Sequence, residues 1–190
     1  MPAIVHDMRS AVPLPPAVYI DTSVLLGAYR GGSGCRVRRD LACARFLKGA
    51  VASSACAPWT SLLAIEEACW APLREQLRQS AGGKLLSEFR KTDPQAYAAA
   101  YQSGRGAVDP LMEFLKHLGV EVRDPKVPSR RSASAHRAIC FTVRGLMRCY
   151  GLEMFDLFHI ALAKLDGTDA IATLDSGYLA VDGIEVYTCR

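Results

Sequence analysis

Two aspartates of this sequence each follow a short apolar run. Asp21 comes directly after residues 17–20, and Asp175 comes directly after residues 170–174. The β-branched and aromatic residues in these runs favour buried strands. Because the carboxyl ends of parallel strands open on one crevice, both carboxylates are expected at the same edge of a sheet. There they can bind a ligand, although the carboxylate of Asp21 could instead cap the helix that begins after it.

Two further acids lie in helical segments among apolar residues. Asp156 stands within the segment MFDLFHIALA, and Glu67 stands within TSLLAIEEA. A carboxylate in apolar surroundings is costly to bury unless a cation compensates its charge. Carboxylate oxygens are the hard ligands that Mg²⁺ and Mn²⁺ prefer. Convergence of the four acids on one crevice would therefore form a divalent metal site from Asp21, Glu67, Asp156 and Asp175.

The segments that carry these acids resemble the PIN-domain ribonucleases, and within that family the VapC-like toxins. The resemblance rests on YIDTSVLL, TSLLAIEEA, FDLFHIALA and IATLDSGYL, and it covers about residues 17–70 and 150–188. It implies that the four acids are both catalytic residues and metal ligands. It also implies that two small hydroxyl residues, Ser23 and Thr173, hold water or ligands beside the metal.

The acid in the middle segment requires a choice between two neighbours. The gap of six residues that is typical of the family, counted from Ser61, reaches Glu67. Glu67 also lies four residues after Leu63 and so shares a helix face with an apolar residue. We therefore favour Glu67 and keep Glu66 as the alternative.

The function that the resemblance implies is metal-dependent hydrolysis of RNA phosphodiester bonds by an endoribonuclease that uses Mg²⁺ or Mn²⁺. The favoured role is the toxin of a toxin–antitoxin pair, with an antitoxin protein as a partner and a homodimer left open. The alternatives are a housekeeping RNA-processing nuclease and a PIN scaffold that binds RNA or protein without cutting. A phosphatase of the haloacid dehalogenase type is disfavoured, because Ser23 stands where that family needs a second aspartate.

The charge of the chain is concentrated in two basic segments. Residues 30–50 and 121–150 each carry a net charge of +5, whereas the whole chain carries +4. This distribution favours a polyanionic partner, although solvated helix faces would give the same pattern. It also disfavours a small-molecule phosphatase. We expect contacts with the RNA backbone from the arginines of these segments, namely Arg36, Arg38, Arg39, Arg130 and Arg131.

The elements that position these residues alternate between strands and helices. This order predicts an α/β fold with a central, mainly parallel sheet of four to five short strands flanked by helices. In the PIN-like case the layers form a three-layer sandwich. We interpret residues 1–16 as a flexible N-terminal segment and residues 17–190 as a single PIN-like domain. A helical insertion is expected at about residues 80–135.

The composition is that of an ordinary globular protein. The chain has 190 residues, of which 50% are hydrophobic and 22% are charged. No apolar stretch approaches the length of a transmembrane helix, and the first residues lack the apolar core of a signal peptide. We therefore expect a cytoplasmic protein without a membrane partner. The seven cysteines include no CxxC pair and are interpreted as reduced core residues.

Overall fold

A computed structural model of the chain describes residues 1–123 and 132–189, without the side chains of residues 132–136. Two of the arginines expected to contact RNA, Arg130 and Arg131, lie outside the described residues. The chain divides into two compact units. The first comprises Met1–Ala64 and Val120–Arg190, and the second comprises Ile65–Gly119.

The first unit contains a six-stranded sheet in which all neighbouring strands are parallel. The α/β class with a central parallel sheet is therefore confirmed, with one strand more than the sequence indicates. The strand order is β1-β6-β5-β2-β3-β4. The strands are β1 (Ile4–Asp7), β2 (Ala17–Ile20), β3 (Ala57–Thr60), β4 (Glu121–Val122), β5 (Ala170–Ala172) and β6 (Glu185–Thr188).

The additional strand, β1, lies within the segment interpreted as flexible. It pairs in parallel with β6 at the edge of the sheet, with Ile4 opposite Glu185. Because an edge strand has one neighbour and is poorly covered, Ile4 stays 57% exposed and Val5 stays 38% exposed. The four residues of β1 lack the alternation of apolar and polar residues by which a strand is identified in a sequence.

Strand β3 contains a proline that the sequence would place at its end. The pattern predicts a strand over residues 53–58, whereas β3 spans Ala57–Thr60. The N–H of Ala57 points to β2, where it donates to Pro16, so Pro58 faces the other side. On that side β4 pairs only from Trp59 onward. The missing N–H of Pro58 therefore costs no hydrogen bond between strands.

Helices cover both faces of this sheet. The helices of the chain are α1 (Thr22–Gly32), α2 (Arg38–Ala52), α3 (Leu62–Ala81), α4 (Leu86–Thr92), α5 (Pro94–Arg105), α6 (Val108–His117), α7 (Ser132–Cys149) and α8 (Met154–Leu165). Val186 of β6 packs in one apolar cluster with Ile160 of α8. The ring of the next residue, Tyr187, lies 5.5 Å from that of Phe46 in α2. Since successive side chains of a strand point to opposite faces, α2 and α8 lie on opposite faces, as in a three-layer sandwich.

The second unit is helical. It contains α4, α5, α6 and α3 from Ile65 onward, and α3 continues through Pro72. Leu73, Leu77 and Phe89 belong to its apolar core. The carboxylate of Asp93 caps α5 by accepting a hydrogen bond from the N–H of Ala96 at 3.0 Å. The unit spans residues 65–119, where the sequence suggests an insertion at about 80–135.

The structure also bears on the cysteines and on the membrane. All seven cysteines are free thiols. Cys43 and Cys56 are buried, but Cys140 and Cys149 are exposed, so the interpretation of all seven as core residues is wrong. In the part of the chain that the structure describes, none of the helices combines the length and the apolar character needed to cross a membrane.

Candidate metal and catalytic site

The centre of the sheet is the point at which the strand order reverses. From β2 the chain continues to β3 and β4 on one side, and from β5 it continues to β6 on the other. Ligands of open α/β sheets bind at such a point, outside the carboxyl ends of the strands. Asp21 directly follows β2, and Asp175 lies three residues after the end of β5. The N–H of Asp21 donates to the carbonyl of Ala172 at 3.0 Å, so both aspartates lie at this edge.

Asp21 occupies the N-cap position of α1, but its side chain does not cap the helix. One carboxylate oxygen, Oδ2, accepts hydrogen bonds from two hydroxyls instead. The hydroxyl of Ser23 donates at 2.6 Å and that of Thr173 donates at 2.9 Å. Asp21 is only 5% exposed. The two hydroxyls therefore compensate a buried carboxylate and fix its orientation.

The same two hydroxyls connect Asp21 to the segment that carries Asp175. Ser23 Oγ accepts a hydrogen bond from the N–H of Leu174 at 2.9 Å. Thr173 Oγ1 accepts one from the N–H of Asp175 at 3.1 Å. Both hydroxyls thus donate to Asp21, and both accept from backbone N–H groups of the segment that carries Asp175. Ser23 and Thr173 hold the two acidic positions in register across β2 and β5.

Asp175 is exposed and begins the short 3-10 helix Ser176–Ala180. Its Oδ1 accepts a hydrogen bond from the N–H of Gly177 at 2.7 Å. This bond gives one carboxylate oxygen a structural role and orients the carboxyl group at the edge of the sheet.

Asp156 lies in the first turn of α8, near the other two aspartates. Its pKa is raised to about 6, first by burial and then by the negative charges of Asp175 and Asp21. The neighbouring His159 acts in the opposite direction. Asp21 and Asp175 therefore lie close enough to Asp156 in the first unit for their charges to act on it.

The fourth acid expected at the site lies in the second unit, on α3. Glu67 is partly buried there, whereas its neighbour Glu66 is exposed. Glu67, which the sequence favours, is therefore the less exposed of the two. Glu67 lies five residues after the start of the helix, since α3 begins at Leu62.

A buried tyrosine hydroxyl lies within the electrostatic influence of the three carboxylates. Tyr178 is fully buried, and its hydroxyl has no hydrogen-bond partner among the described residues. Its pKa is raised by burial and then by the negative charges of Asp21 and Asp156. A buried hydroxyl without a partner is costly, so this group is suited to a ligand or water at the acidic site. The sequence favours packing for Tyr178 over stacking on a base.

A chain of buried polar groups leads from Asp21 to the start of α3. His159 Nε2 lies 3.7 Å from Asp21 Oδ1, and His159 Nδ1 lies 2.6 Å from the hydroxyl of Tyr19. That hydroxyl lies 2.8 Å from Ser61 Oγ, which accepts a hydrogen bond from the N–H of Ala64. His159 therefore packs in the core and also flanks Asp21. Its helical spacing of three residues from Asp156 was the only signal of this in the sequence.

The basic residues of segment 30–50 are only partly available. Arg36 and Arg38 are exposed. Arg39 lies 3.8 Å from Asp40, which is buried and also pairs with Arg30 at 3.0 Å. Asp40 therefore engages two of the six basic side chains of this segment, and the net charge of +5 already includes it.

The donor set suits a hard divalent cation, because carboxylate oxygens and a hydroxyl are the ligand types of Mg²⁺ and Mn²⁺. A cation would also offset the repulsion among Asp21, Asp156 and Asp175. In residues 1–123 and 132–189, no group of three or more His, Cys, Asp or Glu side chains has the arrangement of a formed metal site. The fit therefore rests on the donor chemistry, the mutual repulsion and the unpartnered hydroxyl of Tyr178.

Comparison with known proteins adds no relative to this picture. No protein-family model matches the chain, and no curated protein matches it significantly.

Proposed function

We propose that this chain is a cytoplasmic endoribonuclease that hydrolyses RNA with Mg²⁺ or Mn²⁺. The observation that carries the proposal is the action of the Asp21 and Asp175 charges on Asp156, beside a buried tyrosine hydroxyl that has no partner among the described residues. The negative charges of Asp21 and Asp175 oppose the ionisation of Asp156 at the carboxyl edge of a parallel sheet. Such an arrangement costs stability unless a cation binds, which favours a functional role over a structural one.

The proposed ligands are Asp21, Asp156 and Asp175, which all lie in the first unit. A bound divalent cation lowers the pKa of water and offsets the negative charge of a phosphodiester. Ser23 and Thr173 keep Oδ2 of Asp21 engaged, and Oδ1, which lies 3.7 Å from His159 Nε2, is the oxygen proposed to bind the cation. The hydroxyl of Tyr178 can bind the water or phosphate oxygen that enters between the carboxylates.

The proposed substrate is RNA rather than a small phosphate ester, because the basic residues of the chain are concentrated in two segments. Arg36 and Arg38, which are exposed, are the proposed contacts of segment 30–50 with the phosphate backbone. The toxin of a toxin–antitoxin pair is the role that we propose within this activity, with RNA and an antitoxin as its partners.

RNA cleavage by the purified protein is expected to stop when a chelator removes divalent metal, and to return when Mg²⁺ or Mn²⁺ is added. The assay follows a labelled structured RNA by gel electrophoresis, with p-nitrophenyl phosphate as the small-molecule substrate. An Asp21→Asn preparation serves as the control for contaminating nuclease and should be inactive in every condition. Cleavage that persists in chelator would reject the metal mechanism. Hydrolysis of the small ester without RNA cleavage would instead identify a phosphatase.

A further inference from the structure

Helix α7 has one face packed against the protein and one face in solvent. Ile139, Val143 and Leu146 follow one another at helical spacing and pack against Leu157 and Ala161 of α8. Val143 is only 4% exposed. The residues on the opposite side of α7 follow the same spacing and are all exposed, namely Arg137, Phe141, Arg144 and Arg148. We call these four residues the α7 stripe.

The aromatic residue of the α7 stripe is unusually exposed. Phe141 is 80% accessible to solvent, so its ring is not held by packing within the protein. It lies four residues after Arg137 and three before Arg144, which places it between two guanidinium groups on the helix surface. A phenylalanine in this position contributes little to the fold, because nearly all of its apolar area stays in water.

The arginines of the α7 stripe form no ion pair with the described residues. Helix α7 contains three arginines and no aspartate or glutamate. The ion pairs that the structure describes for arginines involve Arg9, Arg30, Arg39 and Arg123, and in the described residues none involves the α7 stripe. Three unpaired cations along about three turns of helix form a surface for a chain of negative charges.

We propose that the α7 stripe binds single-stranded RNA, with a base stacked on Phe141 and phosphates bound by the arginines. An aromatic ring interleaved with cations is the arrangement that binds single strands without sequence preference, since every base has a π-face. An acidic polypeptide would satisfy the arginines but would not use a lone ring between them. The combination therefore favours a nucleic acid over a protein.

The α7 stripe is connected to the acidic site by a short segment. Helix α7 ends at Cys149 and α8 begins at Met154, so Arg148 is close in the chain to Asp156. The inference extends the proposed nuclease function by naming where the substrate strand is held before it reaches the carboxylates. It can be tested without cleavage, because binding to the stripe needs no metal.

Replacing Phe141 by Leu is expected to weaken binding of a short labelled single-stranded oligonucleotide by about 5- to 100-fold. Phe141→Trp should keep the affinity, and its fluorescence should be quenched as a base stacks on the indole. Binding is measured by fluorescence anisotropy in chelator, so that the result is independent of catalysis. With an oligonucleotide of abasic sites, the Leu variant and the wild type should bind equally, since phosphates remain and bases are absent.

The arginines are tested by the salt dependence of the same binding. Arg144→Gln combined with Arg148→Gln should lower the slope of log Kd against log salt by about 0.7 for each lost phosphate contact. Arg78→Gln, an exposed position of the second unit, is the matched control. The ratio of its affinities for abasic and normal strands should equal that of the wild type. If Phe141→Leu and the double variant bind RNA as the wild type does, the proposal is overturned and an acidic protein becomes the expected occupant. If the wild type binds RNA with a base stacked at residue 141 but does not cleave it, only the nuclease function is rejected.

Discussion

Replacing Asp156 by Asn is expected to reduce RNA cleavage by at least about 100-fold while the protein stays folded and becomes more stable without metal. Loss of a group that only orients a ligand costs 10- to 100-fold in metal proteins, so loss of a ligand should cost at least as much. The substitution preserves the shape of the side chain and removes only its charge. It therefore separates the chemistry of the site from its packing.

The gain in stability follows from the pKa of Asp156, which is raised to about 6 in the folded protein. A carboxyl group with a raised pKa is harder to ionise when folded than when unfolded, so its charge destabilises the fold above that pKa. The penalty is absent at low pH and appears as the pH rises through the range between about 4 and 6. At neutral pH the Asn variant should gain about 1 kcal/mol after solvent screening, or about 2–4 °C in Tm.

Thermal unfolding in chelator at pH 5 and pH 7.5 measures this difference, and Asp109→Asn, an exposed position of the second unit, controls for the change in charge. The Asp156 variant should exceed the wild type in Tm by more at the higher pH. A variant that unfolds at a lower temperature than the wild type would show that the carboxylate stabilises the fold. In that case the Asp156 carboxylate is not destabilised by the charges of Asp21 and Asp175.

Replacing Gly31 by Ala is expected to lower the Tm by about 4–8 °C. Helices α1 and α2 approach closely at this position, and a Cβ at residue 31 would collide with the backbone oxygen of Asp40. The backbone carbon of Asp40 would lie 2.7 Å from the same Cβ. Because the obstacle is backbone, one helix must shift, at a cost of about 2 kcal/mol or more.

Gly49→Ala is the matched control, since it is the same substitution in the exposed surface of α2. A Cβ there would meet no atom within 4 Å. Alanine is the better helix former, so this variant should gain up to about 1 kcal/mol. Equal effects of the two substitutions in circular dichroism melts would contradict the close approach of α1 and α2.

The parts of the fold that follow a strong local pattern could be predicted from the sequence. The apolar runs before Asp21 and Asp175 identify two strands, and their parallel pairing follows from the intervening helices. Strand β1 could not be predicted, because its stability comes from pairing with β6, which is distant in the chain. The end of β3 could not be predicted for a similar reason. Pro58 costs a hydrogen bond only if β4 is long enough to pair beside it, and β4 pairs only from Trp59 onward.

From the sequence, Asp21 and the two hydroxyls that contact it, those of Ser23 and Thr173, could be predicted together, but the orientation of the buried tyrosine and histidine could not. Carboxylates at strand ends are visible as residue types at particular spacings. The roles of Tyr178 and His159 depend on which way a buried side chain faces, and that direction is set by packing across the sheet. A tyrosine and a histidine in apolar segments give the same sequence pattern whether or not they face an acidic crevice.

The most direct test of the proposed site compares the binding of Mn²⁺ to the wild type and to Asp21→Asn. Electron paramagnetic resonance measures the Mn²⁺ that stays free. Asp109→Asn is again the control, and all three proteins are checked for folding by circular dichroism. We expect the wild type and the control to bind Mn²⁺ with equal affinity, and Asp21→Asn to bind it at least about 10-fold more weakly. Wild type that takes up no Mn²⁺, or an Asp21 variant that binds as tightly as wild type, would contradict a metal site at these carboxylates.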